Sequence, residues 1–495
     1  MRVFVLIGFM FLFGLELQAQ NNNPMRIEVD SRTYEDVYGL PLDNGNFLIL
    51  KSENRHSNNG VNWVLDLYDS SFKKKNSKKL LLPRGFTPVK YRINGDSILW
   101  LAYSEEGGAK GSFMLYRFNL HSGLMWSKYV KGSRKSVFSG FEIIGNRIII
   151  FGEKIEDIAD QLIESKMPFG IEFIYPTLSK YGEVITSLSL DNNEKAVLIV
   201  EVDKGNNSGL YYFEYTTAKD EVDIYALETG SPVNIIDGSL VISDDGSLLL
   251  LGTFNYNVGR ETSSDKVVAN GTFIGKVVNK DFQFFKTNEF LEYKNIFATL
   301  TANEQKQLKQ KHKQGKEVSL GFKMLTHKKV LKQRGLYVVS AETYYPEYHY
   351  ESSFDSRGYM YQNQVFDGYR TTNCIVSAYN ETGDMVWDNY MHSSEILEFN
   401  LQESVLVFAE ADSNIVMAYY HDGNVYSKTV SGNDIVFKKS EDKIETVLGN
   451  SILSERYGRI QHWYDSYFVL SGYQVLYGTN GEKKKVFFFN LISFE

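Results

Sequence analysis

Between Thr343 and Arg370 the chain carries nine aromatic residues, Tyr344, Tyr345, Tyr348, Tyr350, Phe354, Tyr359, Tyr361, Phe366 and Tyr369. Flat rings offer large, rigid contact area at little entropic cost. A loop of this composition could hold a sugar or a peptide, with Glu342, Glu347 and Asp367 to orient it. The same stretch also reads as an extended hairpin packing its rings on itself, because so much aromatic surface must be buried somewhere.

A second stretch reverses the sign of an otherwise acidic chain. Lys306, Lys309, Lys311, Lys313, Lys316, Lys323, Lys328, Lys329, Lys332 and Arg334 face only Glu304 and Glu317 between them. Such a run could meet anionic lipid headgroups or an acidic partner, or be a solvated helix surface that lysine fills. It opens on Thr301-Ala302-Asn303-Glu304, a capping-box pattern for a short helix ending near Gly315.

Catalytic and metal motifs do not appear. The histidines, His56, His121, His312, His327, His349, His392, His421 and His462, are scattered without His-x-His or His-Glu-x-x-His spacing, so no metal site is expected. Cys374 leads into an apolar segment and reads as a buried structural thiol. No glycine-rich phosphate loop and no Gly-x-Ser-x-Gly elbow is present. No cofactor is implied, and no catalytic residue is nominated.

These candidates must be positioned by a repeat. Gly45-Asn46-Phe47-Leu48-Ile49-Leu50, Gly95-Asp96-Ser97-Ile98-Leu99-Trp100 and Gly145-Asn146-Arg147-Ile148-Ile149-Ile150 recur at a spacing of fifty residues. The register loosens but continues at residues 193–200 and 245–251. A period near fifty suggests a propeller or solenoid. Apolar strands near Phe47, Ile98, Ile148, Val197, Leu248, Leu336, Val405 and Phe468 make eight units, with seven the alternative.

Glycine turns join later strands around Gly123, Gly383 and, with an Asp-Gly hairpin signal, Asp422-Gly423. The terminal segment Val486–Ile492 has no successor, so Met25–Val29 is expected beside it, closing the ring. A segment from Glu153 to Lys166 alternates as an amphipathic helix, with Ile155, Ile158, Ala159, Leu162 and Ile163 on one side. It and the aromatic stretch fall between the second and third strands of a unit, and the basic helix between units. All three insertions should therefore crowd one face.

Composition fits this frame. The first residues form an apolar run to Leu15 followed by Gln18-Ala19-Gln20, a secretory-signal pattern with cleavage expected after Ala19. With one cysteine there is no internal disulfide and no lipobox, and no later segment is apolar enough to span a membrane. Strand-forming aromatics make up 14% of the chain, and only 8 prolines interrupt it. The net charge of −8 argues against nucleic acid as a partner.

The Gly123-to-Trp126 and Gly383-to-Trp387 spacings resemble the blade ends of quinoprotein-like propellers, where a turn glycine precedes a tryptophan docking on the next blade. No adjacent cysteine pair accompanies them, so the resemblance implies fold and not redox chemistry. By blade pattern the mature chain resembles divergent β-propeller proteins exported by Gram-negative bacteria. The expectation is an all-β single propeller over residues 20–495, with four-stranded blades and insertions at about 153–167, 299–316 and 343–371, two of them helical. The expected role is a non-enzymatic interaction subunit in the periplasm or at the outer membrane, meeting an envelope protein through Tyr344, Tyr345, Tyr348, Tyr350, Tyr359, Tyr361, Tyr369, Lys306, Lys309 and Lys313. The alternative is a glycan-binding or glycan-hydrolysing propeller using the Tyr-rich loop and central-channel carboxylates.

Overall fold

The computed structural model describes residues 25–493 apart from 43–44, 58, 95, 105–109, 132–135, 145–146, 155–171, 175–181, 191–194, 203–208, 217–220, 231–232, 257–267, 297–299, 314–320, 355–356, 358, 395, 411–413, 444–450 and 479–480. Among the described residues, eight sheets follow one another along the chain, and seven of them have at least four strands. The third sheet has three described strands, and its short Glu172–Ile174 pairs parallel rather than antiparallel. The chain is an all-β propeller, with eight blades among the described residues.

The repeat legible in the sequence is the first turn of each blade and the strand that follows it. Gly45 and Gly246 both sit at positive φ, 70° and 83°, in the turn between a blade's first and second strands, a conformation glycine adopts without steric cost. The second strands, such as Ser97–Ser104 and Leu248–Tyr256, are then buried along most of their length. They lie inside a sheet whose two faces are each covered by a neighbouring blade, which explains their continuous apolar run.

Blade joins are apolar. Trp63 of the first blade meets Trp100 of the second edge-on at 5.2 Å, within a cluster that includes Leu40, Leu80 and Ile98. Phe47 of the first blade packs against Trp463 and Phe489 of the eighth. Trp387 is buried against Val405, Met417 and Val430 of the seventh blade, the docking implied by the quinoprotein-like spacing. Each such side chain contributes roughly 1.5–3 kcal/mol on burial. Cys374 lies fully buried in the same cluster, and burial pushes its thiol well up.

The ring closes as the termini suggested. Arg26–Asp30 pairs antiparallel with Lys483–Ser493, from Arg26 opposite Asn490 to Asp30 opposite Val486, and supplies the outermost strand of the eighth blade. Two readings of the units need correction. Val405 precedes the seventh blade's short first strand, Leu406–Ala409, and the long apolar second strand is Ile415–His421. The Asp422-Gly423 turn joins that blade's second and third strands, whereas the Gly123 and Gly383 turns join third and fourth strands. An Asp-Gly pair specifies a tight hairpin with both φ values positive, here 47° and 79°, and carries no information on which joint of a blade it closes.

One α-helix is described, Ala302–Lys313, capped as its sequence predicts. The Thr301 amide donates to Glu304 Oε2 at 2.8 Å and the Glu304 amide to Thr301 Oγ1 at 3.3 Å. The amphipathic segment Glu153–Lys166 falls almost wholly outside the described residues.

Candidate functional site

Strands in a blade alternate in direction, so second-to-third connections and blade-to-blade connections emerge on the same face. The helix Ala302–Lys313 is a connection between the fifth and sixth blades, and the aromatic stretch joins the second and third strands of the sixth. Both therefore stand on one face.

The aromatic stretch is not a loop. Leu336–Phe354 and Met360–Tyr379 form one continuous ladder that runs on past the blade, from Tyr344 opposite Thr371 to Phe354 opposite Met360. At about 3.3 Å per residue this hairpin reaches roughly 35 Å from Thr343 to its last paired residues, Phe354 and Met360. Alternation across the strands gives it two unlike sides. One carries Tyr348 and Phe366, ring centroids 5.4 Å apart, with Phe366 also 5.0 Å from Tyr369 and 5.6 Å from Phe399. Tyr344 meets Tyr369 at 5.6 Å. The other side carries the Glu347–Arg370 ion pair and His349, whose ring lies 2.6 Å from Asp367 and 3.2 Å from Glu351.

The rings near the blade thus pack on one another, and those at the tip are the most exposed. Tyr350, Phe354 and Tyr359 are 67%, 70% and 71% exposed, and Tyr345, Tyr348 and Tyr361 are also exposed. Of the three carboxylates assigned to orient a ligand, Glu347 is tied to Arg370, Glu342 is buried in structural work, and Asp367 is held by His349.

The described members of the basic run have unlike surroundings. Lys306 and Lys311 are exposed on the helix, while Lys328 is paired with Asp237 and Lys332 reaches Asp244 at 2.7 Å. The backbone of Lys309 and Lys313 is helical, and their side chains lie outside the described residues.

At the foot of the hairpin lies a cleft of about 400 Å³ that sequence reasoning did not find. Its walls are Asp367 on the hairpin, Leu397–Phe399 before the seventh blade, the His421-Asp422 turn, and Glu455–Gly458 on the first strand of the eighth blade. Leu397–Glu398 clips onto the hairpin at Arg370 and Tyr369. Gly368 permits this approach: its φ is 145°, and a Cβ there would come within 2.6 Å of the Glu398 carbonyl oxygen. On the opposite wall Tyr457 sits at φ 58° in a bulge between Arg456 and Arg459. Bulges of this kind re-aim side chains, and Gly458 in a strand pattern was the one signal for it.

Two carboxyls of the cleft are held in unlike ways. Glu455 accepts from the Tyr420 hydroxyl at 2.7 Å, Gln474 Nε2 at 2.6 Å and the Gly423 amide at 3.4 Å. Gln474 is itself held by Arg26 of the closing strand at 2.8 Å. Burial raises Glu455 against these bonds. Glu398 is 6% exposed, and its Oε2 has one long contact, 3.4 Å from Gln402 Nε2. Its Oε1 has no hydrogen-bond partner among the described residues. Burial pushes the Glu398 carboxyl up to about 7, against a weaker pull from Arg459 and Gln402.

A carboxyl raised by burial costs stability once it must ionise. The native protein keeps a proton that the unfolded chain, with an ordinary value near 4.5, has already released. Stability therefore falls as pH rises from about 4.5 through 7. Glu398→Gln is expected to melt above the parent at pH 8, by up to about 3 kcal/mol, and with it at pH 4, as read by calorimetry. Equal melting at both pH values would show that the carboxyl is not strained.

No family model matches the chain, and no curated protein matches it. Solved structures similar to it include the β-propeller domain of the Trilobed protease from Pyrococcus furiosus, with TM-score 0.32 and 8% identity over 91% of this chain and 96% of that one. Prolyl oligopeptidase B from Galerina marginata gives 0.36 and 10%, over 92% and 52%. The polysaccharide lyase Uly1 gives 0.27 and 12%, over 82% and 89%. The chain spans about half the length of the prolyl peptidases it matches. These likenesses carry no chemistry to this chain, whose blades stand on their own topology. No helix among the described residues is long and apolar enough to cross a membrane.

Proposed function

We propose that the protein is an exported, non-enzymatic propeller that docks on an envelope protein, such as an outer-membrane assembly, through the hairpin-bearing face. The single observation that supports it is the hairpin tip, where Tyr350, Phe354, Tyr359 and Met360 are exposed on a two-stranded arm. Exposed apolar surface of this kind marks interaction sites, and among the described residues the arm's outer edges pair with no further strand beyond Leu397–Glu398, which suits addition of a partner strand. Export rests on the leader pattern of residues 1–19.

The glycan reading draws on the convergence of Asp367, Glu398, Asp422 and Glu455 on one cleft near the Tyr-rich hairpin. It is the weaker reading, since the hairpin's own rings nearest the cleft are packed on one another and its most exposed ones lie at the far tip.

The test is affinity purification from native envelopes with a four-site tip variant, Tyr350→Ser, Phe354→Ser, Tyr359→Ser and Met360→Ser. The parent is expected to retain a stoichiometric partner that the variant loses by tenfold or more, with both proteins melting alike. A partner held equally by both proteins would remove the hairpin from the interface, and no partner in either would end the docking reading.

A further inference from the structure

The hairpin arm has two long strand edges, and they are guarded unequally. Native sheets blunt an exposed edge with proline, charge or a bulge, because its outward amides and carbonyls otherwise recruit another strand. Over the arm, the edge strand Leu336–Phe354 carries such guards in Pro346, Glu347 and Glu351. The edge of Met360–Tyr379 is covered by Met385–His392 within the blade and by the clip Leu397–Glu398 at Arg370 and Tyr369, and among the described residues no strand covers it further out. There the segment Met360-Tyr361-Gln362-Asn363-Gln364-Val365-Phe366 has no charge and no proline, and the ladder's irregularity at Glu347/Tyr348 lies past its end. Tyr361, Gln362, Asn363 and Gln364 are exposed.

The same segment is a palindrome of residue classes about Asn363. Laid antiparallel on itself, it sets Gln362 against Gln364, Tyr361 against Val365 and Met360 against Phe366, with no charge facing a like charge. Each of these pairs occurs twice, as a two-fold axis requires. We propose that the occupant of this edge is the same segment of a second copy, the two arms joining into one four-stranded sheet about Asn363. That register extends the arm's own pairing, in which Tyr348 lies across from Phe366 and Phe354 across from Met360. One side of the joined sheet then carries the row Tyr348, Phe366, Met360, Phe354, with the middle two from different copies, and the axis repeats it. Apolar and aromatic side chains opposed across strands are what stabilise such a pairing. Met360–Phe366 spans about 23 Å of edge, short for a permanent interface, so dimer and monomer should exchange on dilution. The joined face would still present its rings to an envelope protein. Pairing is read on the purified chain alone, so it and the docking reading fail separately.

The experiment is sedimentation velocity of the full chain over a dilution series, on the parent and on two edge variants. Gln362→Lys with Gln364→Lys sets lysine opposite lysine at both pairs and is expected to weaken the dimer at least tenfold. Gln362→Lys with Gln364→Glu sets lysine opposite glutamate and is expected to keep it. Asn363→Cys places a thiol at the axis, where opposed Cα atoms stand about 4.5–5.5 Å apart, within disulfide reach, while the native Cys374 is buried. Oxidised glutathione is expected to join that variant into a covalent dimer and to leave Ser352→Cys, on the guarded strand, monomeric. All four variants should melt with the parent, because the side chains changed are exposed. A parent that stays monomeric at every concentration, a dimer untouched by the two lysines, or cross-linking of Ser352→Cys as fast as of Asn363→Cys would overturn the proposal. An envelope protein held by a monomeric parent and lost with the two lysines would also overturn it, giving the edge to a strand of that protein.

Discussion

A chain that begins at Ser31 is expected to melt roughly 5–10 °C below the parent at one scan rate, because it lacks the strand that closes the ring. Val29 is buried in the cluster joining the eighth and first blades, worth about 2 kcal/mol. The ladder from Arg26 to Asp30 adds hydrogen bonds of about 1 kcal/mol each. Arg26 adds more: its guanidinium lies 4.6 Å over the Phe488 ring and donates to Asn490 at 3.1 Å and Gln474 at 2.8 Å. Both amides are almost wholly buried, so losing Arg26 would leave them short of a partner at about 1–3 kcal/mol apiece. The sum is of order 8 kcal/mol, comparable to the net stability of a typical domain. A synthetic peptide of residues 25–31 should restore the midpoint by refilling the edge, as strand addition does elsewhere. An unchanged midpoint would mean that the first and eighth blades hold together without the shared strand. Since Gln474 also donates to Glu455, the same truncation is expected to loosen one wall of the acidic cleft.

How much of this was visible in the sequence differs between blade and site. Ser97–Ser104 announced itself because a strand covered on both faces must be apolar throughout, and Gly45 because its turn needs positive φ. Closure was legible because Val486–Ile492 needed a neighbour and Met25–Val29 had the alternation to supply one. The hairpin of Tyr344–Tyr369 was visible as composition but not as geometry. Its two sides differ only once the bulge at Glu347/Tyr348 sets which rings face Phe399, a residue that arrives from the next connection. The cleft was not legible. Glu398 and Glu455 are ordinary glutamates in sequence, and their burial depends on three blades meeting, which no local pattern encodes. Nor did the basic run tell where its members go: Lys328 and Lys332 follow the helix in sequence, and the fold pairs them with Asp237 and Asp244 of the fifth blade.

The second large effect is expected at Glu342, which sequence reasoning placed among ligand-orienting residues and which the fold buries at 1% exposure. Its Oε1 accepts from the amides of Ser404 at 2.7 Å and Val405 at 2.8 Å, and lies 2.8 Å from His327 Nε2. His327 Nδ1 lies 2.9 Å from Ser340 Oγ, so the imidazole is held at both nitrogens. One carboxylate thus ties the sixth blade to the start of the seventh. Glu342→Ala would leave a buried imidazole and two buried amides without an acceptor, a loss of about 3–5 kcal/mol. Glu342→Gln keeps an oxygen for the amides and is expected to lose less. Burial by itself would lower His327, yet the bond and charge of Glu342, helped by Glu403, hold it above its ordinary 6.5. A histidine raised in the native state contributes stability that is fully present below its unfolded value and is lost as pH climbs through the native one. The parent's thermal midpoint should therefore decline from about pH 6.5 upward, and Glu342→Gln should flatten that decline because the imidazole then has no charge to hold its proton. Melting curves between pH 5 and 9 on parent and variant would decide it, since parallel declines in the two would place the responsible proton elsewhere.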